Sequence, residues 1–307
     1  MTGRAPRVPN AIHMTVTVRG VVSEHSQAAI LSIFAGIVVE HVAALRGALV
    51  KLAARRPSDE DLHQFRVTLR RLRSAWVTFG PVLPEAFAAE WKPRLRALAA
   101  STGPVREWDV LLSDWLPAAQ HSLADGDEAG RAWLTAAITK AKAARSRSWR
   151  SLRADLASPD VLNTLAELEM AVLPFRLAVE AGPHAEFARA RAQALRKKLI
   201  DRGRSPKQAS PARLHRARIA AKQWRYLYEA FYLALGAQAP KRCHAHLRKL
   251  QDALGEVHDA AISLERAAGV VKDVPPASIV SAFHKRARVA RKRAARQLRW
   301  IREHPAV

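Results

Sequence analysis

The sequence predicts an all-α fold built as two homologous four-helix bundles about a pseudo-two-fold axis, with a basic cleft between them. Three observations carry that expectation. Ala, Leu, Arg, Glu and Lys dominate, apolar residues recur three and four positions apart, and runs of β-branched residues are few. Turn signals at Pro57-Ser58-Asp59, Gly80-Pro81, Gly103-Pro104, Asp125-Gly126-Asp127, Ser158-Pro159, Gly182-Pro183, Ser205-Pro206, Gly236, Gly255 and Pro275-Pro276 cut the chain into about eight helical segments. The third observation is an internal repeat.

Taken in order, the first segment holds the longest apolar run, Ala28 to Val39, which Glu40 and His41 interrupt. That run is too short to cross a bilayer, which takes roughly 20 residues. The second segment starts at Ser58 and Asp59, both good N-caps; Ser158 before Pro159 and Ser210 before Pro211 open later helices in the same way. The repeat then relates the two halves at an offset of 152 residues. It pairs Leu62 with Leu214, His63 with His215, Arg66 with Arg218, Arg70 with Lys222, Arg73 with Arg225 and Phe79 with Phe231. Further on it pairs Leu95 with Leu247, Arg96 with Arg248, Gly103 with Gly255, Glu107 with Asp259, Lys140 with Lys292 and Arg147 with Arg299. The expected organisation is a flexible basic tail over 1–21, one repeat over about 22–157, a linker over about 158–182 and a second repeat over about 183–307. Four antiparallel helices with short loops make a bundle, and a duplicated bundle packs about a pseudo-two-fold axis by analogy with symmetric dimers.

Charge narrows the function. Lys and Arg number 51 against 27 Asp and Glu, a formal net charge of +24, in a chain that is 49 % hydrophobic and therefore folded. Self-repulsion on that scale implies an anionic partner without choosing among nucleic acid, anionic membrane and other polyanions. The single cysteine, Cys243, excludes an intramolecular disulfide, and no secretory signal is evident, so a cytoplasmic protein is expected.

The basic residues are ordered. His63, Arg66, Arg70 and Arg73, and their counterparts His215, Arg218, Lys222 and Arg225 (followed by Tyr226), fall at positions 0, +3, +7 and +10. At about 100° per residue each set projects within one stripe, flanking the apolar face centred near roughly 210°. Between His63 and Phe79 there is no acidic residue to neutralise the stripe. An Arg-rich face on one helix is ordinarily solvated surface; two uncompensated stripes at matched positions point to an anion site, where the guanidinium fork bonds two phosphate oxygens and Lys222 acts as a point charge. Arg71 projects to bulk water and its counterpart, Gln223, is uncharged. His63 and His215 read either as structural histidines or as phosphate donors. Cys243, His244 and His246 look like a metal cluster by composition, yet on a helix His244 and His246 point about 200° apart. Arg94, Arg96 and Lys92 before Gly103, with Arg248 and Lys249 before Gly255, extend the basic surface. In the terminal helix Lys292 and Arg299, matched to Lys140 and Arg147, are the better candidates for lining a site.

These residues resemble the CHAD family of histidine-containing α-helical domains, whose pattern is roughly H-x-x-R-V-x-x-[RK]-x-x-R and, some 30 residues on, L-G-x-x-R-D. One copy reads His63, Arg66, Val67, Arg70, Arg73, then Thr102-Gly103 and Arg106-Glu107; the other reads His215, Arg218, Ile219, Lys222, Arg225, then Leu254-Gly255 and His258-Asp259. Thr102, Glu107 and His258 depart from the pattern. The resemblance implies a basic central cavity that binds inorganic polyphosphate, adds Arg106 to the expected site, and makes association with polyphosphate granules an expectation. Some relatives carry a CYTH triphosphatase domain, marked by E-x-E-x-K, but Glu167 and Glu169 are followed by no such lysine. With no P-loop, no G-x-G-x-x-G and no clustered carboxylates, the chain is expected to be a binding protein without catalysis, metal or cofactor. Nucleic acid is the alternative partner, as a weak competitor, and no membrane role is expected.

Overall fold

The structure is a computed structural model that describes residues 24–54, 58–177, 184–206, 208–231 and 239–304. The expected basic tail over 1–21 lies outside the described residues, as do Pro57, Gly182-Pro183 and Gly236. Every regular element among the described residues is helical. In chain order these are α1 (Glu24–Ala53), α2 (Asp59–Thr78), α3 (Glu85–Ser101), α4 (Gly103–Val110), a π-helical turn (Leu111–Trp115) and α5 (Leu116–Gln120). Then come α6 (Glu128–Ala157), α7 (Pro159–Val172), a 3-10 turn (Leu173–Leu177), α8 (His184–Arg202), α9 (Pro211–Ala230), α10 (Ala239–Val271) and α11 (Ala277–Glu303).

The three expected N-caps form. Ser58 and Asp61 close a capping box, the Asp61 N–H donating to Ser58 Oγ (3.1 Å) and the Ser58 N–H to Asp61 Oδ2 (2.8 Å). Ser158 Oγ accepts from the N–H of Asp160 and Ser210 Oγ from that of Arg213, each ahead of a proline in the first helical turn. The offset of 152 residues carries the bounds of α2 onto those of α9. It also carries core onto core: Leu62 and Leu214, Leu72 and Trp224, Phe79 and Phe231, Leu95 and Leu247, and Val105 and Val257 are all buried.

Two departures from eight simple helices have local causes. Over the stretch where α10 runs unbroken for 33 residues, the first half has α3, α4, the π turn and α5. Pro104 and Pro117 lack the N–H that a continuing helix needs and each opens a new one, whereas the offset places Glu256 and Gly269 at those positions of α10. The stretch expected as a linker carries α7, which the repeat does not account for, and which buries Leu165, Leu168 and Val172. The apolar run in α1 also continues past Glu40 and His41. Over Gln27–Ala53 this helix is long and apolar enough to cross a membrane by length and composition. Its Ile30, Phe34, Val38, Val42 and Leu45 are nevertheless fully buried in the protein core.

The main core joins both halves, running from α1 and α2 through α8 and α9 to α10 and α11, and a second cluster packs the α4–α6 region against α10 and α11. At the centre Phe79 meets Phe231, its own counterpart, with ring centroids 5.4 Å apart. Contact between a residue and its equivalent is what a two-fold relation between α2 and α9 would produce. This packing sets the basic flanks of α2 and α9 beside a common space.

Candidate anion-binding cavity

That space is a cavity of about 800 Å³, walled by α2, α3 and α4 from the first half and by α9 and α10 from the second. From α2 come His63, Arg66, Arg70 and Arg73; from α3, Lys92 and Arg96; from α4, Arg106; and from α9, His215, Arg218 and Lys222. With His258 from α10, eight Arg or Lys and three His face two carboxylates, Glu107 and Asp259. His63, Arg73, Lys92 and Arg96 are exposed and open the cavity to solvent, while Arg66, Arg70, Arg106, Arg218 and Lys222 are partly buried deeper in.

Each wall orients its cations. The Arg66 guanidinium donates from Nη1 to Thr102 Oγ1 (2.5 Å), and Arg70 Nε donates to the Tyr226 hydroxyl (2.5 Å), linking α2 to the junction of α3 and α4 and to α9. Tyr226 is buried and acts on the cavity through Arg70. Arg218 lies against Gly255, where a Cβ would sit 3.5 Å from its Nε; this Nε is buried and has no hydrogen-bond partner among the described residues. Glu107 is ion-paired with Arg266, which also lies over the Trp108 ring.

Crowding so many cations raises the cost of charging them. Burial, then Arg106 and Arg70, bring Arg66 down to about 10. Burial, then Arg218 and Arg70, bring Lys222 down to about 6. Burial and Arg96 lower Arg73. Asp259 moves the other way, raised by burial against the pull of Arg218, Arg106 and Lys222. Folding spends free energy to keep these side chains together, and an entering anion would return it.

The remaining expected site residues lie elsewhere. Arg94 ion-pairs with Glu167 and Glu90 and stacks over Trp91. Lys140 Nζ donates to the Val271 carbonyl (2.9 Å). Arg225 turns to Glu229 (3.5 Å). Arg147, Arg248, Lys292 and Arg299 are exposed and do not line the cavity. Arg71 also pairs with Glu229, outside the cavity. His244 faces Glu229, while His246 bonds Gln297 (2.7 Å) and stacks on Trp300, so these two histidines diverge. Lining residues that the helical spacing did not mark include Thr102, Ser74, Ser263 and His258. His258 stood only as a departure from the family pattern, although the offset places it at the position of Arg106.

A smaller cavity of about 680 Å³ adjoins, sharing His63, Arg66 and Arg106 with the first. Lys142 and Arg145 of α6 line it opposite Asp59, Glu60 and Asp109, and Arg145 is held by Asp109 (Nε–Oδ1 2.6 Å) and Asp59.

The family model for the CHAD domain matches residues 37–268. This chain belongs to the CHAD domain family. Its fold is similar to the crystal structure of the CHAD domain from the plant Ricinus communis, at 25 % identity and a TM-score of 0.63 over 96 % of this chain and 93 % of that one. It is also similar in fold to PptA from Streptomyces chartreusis, at 16 % identity and a TM-score of 0.61, over 91 % of this chain and 99 % of that one. No curated protein matches the chain. Within this CHAD domain, both family motifs fall on helices that wall the one cavity.

Proposed function

We propose that this CHAD domain binds inorganic polyphosphate in the cavity between α2 and α9, without catalysing its breakdown. The observation that carries the reading is the convergence of the two basic rows: His63, Arg66, Arg70 and Arg73 on one wall, His215, Arg218 and Lys222 on the other. A linear polyanion with about one charge per unit can exchange its counterions for several of these cations at once, and guanidinium forks bond paired phosphate oxygens. Of the expected site, Arg96 and Arg106 line the same cavity from the first half. The proposal takes the chain as repeats over about 22–157 and 183–307, with α7 between them. The binding-only reading is supported by the carboxylates of the cavity: Glu107 is paired with Arg266, and Asp259 lies within reach of Arg218 and Lys222.

The test is binding of defined-length polyphosphate to the full chain at several salt concentrations. Eight lining cations predict a log–log salt slope on the order of −5. Replacing Arg66, Arg70, Arg218 and Lys222 together by Ala should weaken binding by about 100-fold or more and flatten that slope, with helical content intact by circular dichroism. Unchanged affinity in this variant rules out the rows as the site. RNA that displaces long polyphosphate at equal phosphate concentration would favour a nucleic-acid partner, and release of orthophosphate would end the non-catalytic reading.

A further inference from the structure

The two walls are not chemically equal. At positions related by the offset, the first half has Arg70 and Arg106 where the second has Lys222 and His258. The rings of His215 and His258 lie with centroids 4.6 Å apart, and His215 Nδ1 is buried without a hydrogen-bond partner among the described residues. An amine and two imidazoles, Lys222, His215 and His258, therefore line one side of the cavity, opposite the guanidinium groups of Arg66, Arg70, Arg73, Arg96 and Arg106, with His63 and Lys92 beside them.

We propose that the second half of the cavity takes up protons as it binds polyphosphate, so that the grip tightens as pH falls while the guanidinium groups of the first half keep their charge throughout. This rests on the binding reading above and adds its regulation. Arg70 approaches Lys222 from α2, and Arg218 and Arg225 approach it from α9. Asp259 on α10 is the nearby group that favours its charged form. His258 faces Arg218, His215 and Lys222; His215 faces Arg218 and Lys222. From α4, Arg106 acts on Asp259, as does Asp114 from the π turn, and Glu107 lines the same wall with Arg266 as its partner. Cations outnumber anions around each of the three groups, so the empty cavity resists their protonation. Burial first, then these neighbours, hold Lys222 near about 6 and His258 near about 4 and lower His215. A row of phosphate oxygens reverses the sign of that field and favours the protonated forms.

Calorimetry of the full chain with long polyphosphate, whose internal units keep their charge over this range, tests the proposal. Titrations in two buffers of different protonation heat should give different binding heats, reading net proton uptake, and affinity should fall by about tenfold or more between about pH 6 and about pH 8. Lys222→Arg with His258→Arg copies the first half into the second. It should lose most of the pH slope and bind more tightly than the native chain at the alkaline end. Should this variant fail to fold, the two-buffer measurement on the native chain still decides. Equal heats in both buffers, or a variant that keeps the native slope, would overturn proton coupling and leave polyphosphate binding standing. Absence of binding at every pH would remove the binding reading and this proposal together.

Discussion

Lys222 is the residue whose chemistry depends most on what fills the cavity. It is held between Arg218 and Arg70 with burial depressing its proton affinity to about 6. The consequence for stability has a definite sign. Below about 6 the folded protein bears the whole cost of the buried charge; as pH rises towards the ordinary lysine value of 10.5, the unfolded chain binds more protons than the folded one and that cost shrinks. Lys222→Met should therefore raise the thermal midpoint of the free protein at neutral pH and flatten the rise of stability with pH, while weakening polyphosphate binding. A thermal melt and a binding titration on the same variant check both halves of the prediction. At this scale the sequence was informative where spacing alone decides direction. The 0, +3, +7 progression put His63, Arg66 and Arg70 on one flank, and Arg71 on another. It was silent where a distant partner intervenes: Glu167 claims Arg94 from 73 residues away, and Val271 claims Lys140 from 131 away. Nothing in local periodicity marks such partners.

Among the elements, the contrast between α10 and the broken α3–α5 series is the largest difference between the halves. In α4 and α5 prolines remove backbone donors, and the intervening π turn shifts the register of the helix. The 33-residue α10 has no proline beyond its first turn. Backbone amides over 111–116 should accordingly exchange faster than those over 263–268, their counterparts on α10, in hydrogen–deuterium exchange of the free protein. Similar protection in both stretches would show that the joint is as firm as the continuous helix. The caps at Ser58, Ser158 and Ser210 were legible because Ser followed by Asp or Pro carries its own chemistry. The cap at Ser158 announced a helix over 159–172, but the repeat gave it no counterpart, and only packing of Leu165 and Leu168 into the core explains its place.

For the whole molecule, the excess of 51 basic over 27 acidic residues means that folding works against its own charge until an anion arrives. Polyphosphate at about 100 times its dissociation constant should stabilise the fold by about 2.7 kcal/mol, a rise of roughly 4 °C in Tm. A melt without such a shift under saturating ligand would count against binding to the folded form. The all-α class and the repeat were visible in the sequence because period and offset survive without coordinates. The cavity was not, since it exists only where α2, α3 and α4 meet α9 and α10. That shared construction has an evolutionary consequence. A homodimer of single repeats must place the same residue at both equivalent positions, so any substitution alters the site twice. With both repeats on one chain, Arg106 and His258 can diverge independently. Fusion thus lets selection adjust the two walls of one cavity separately.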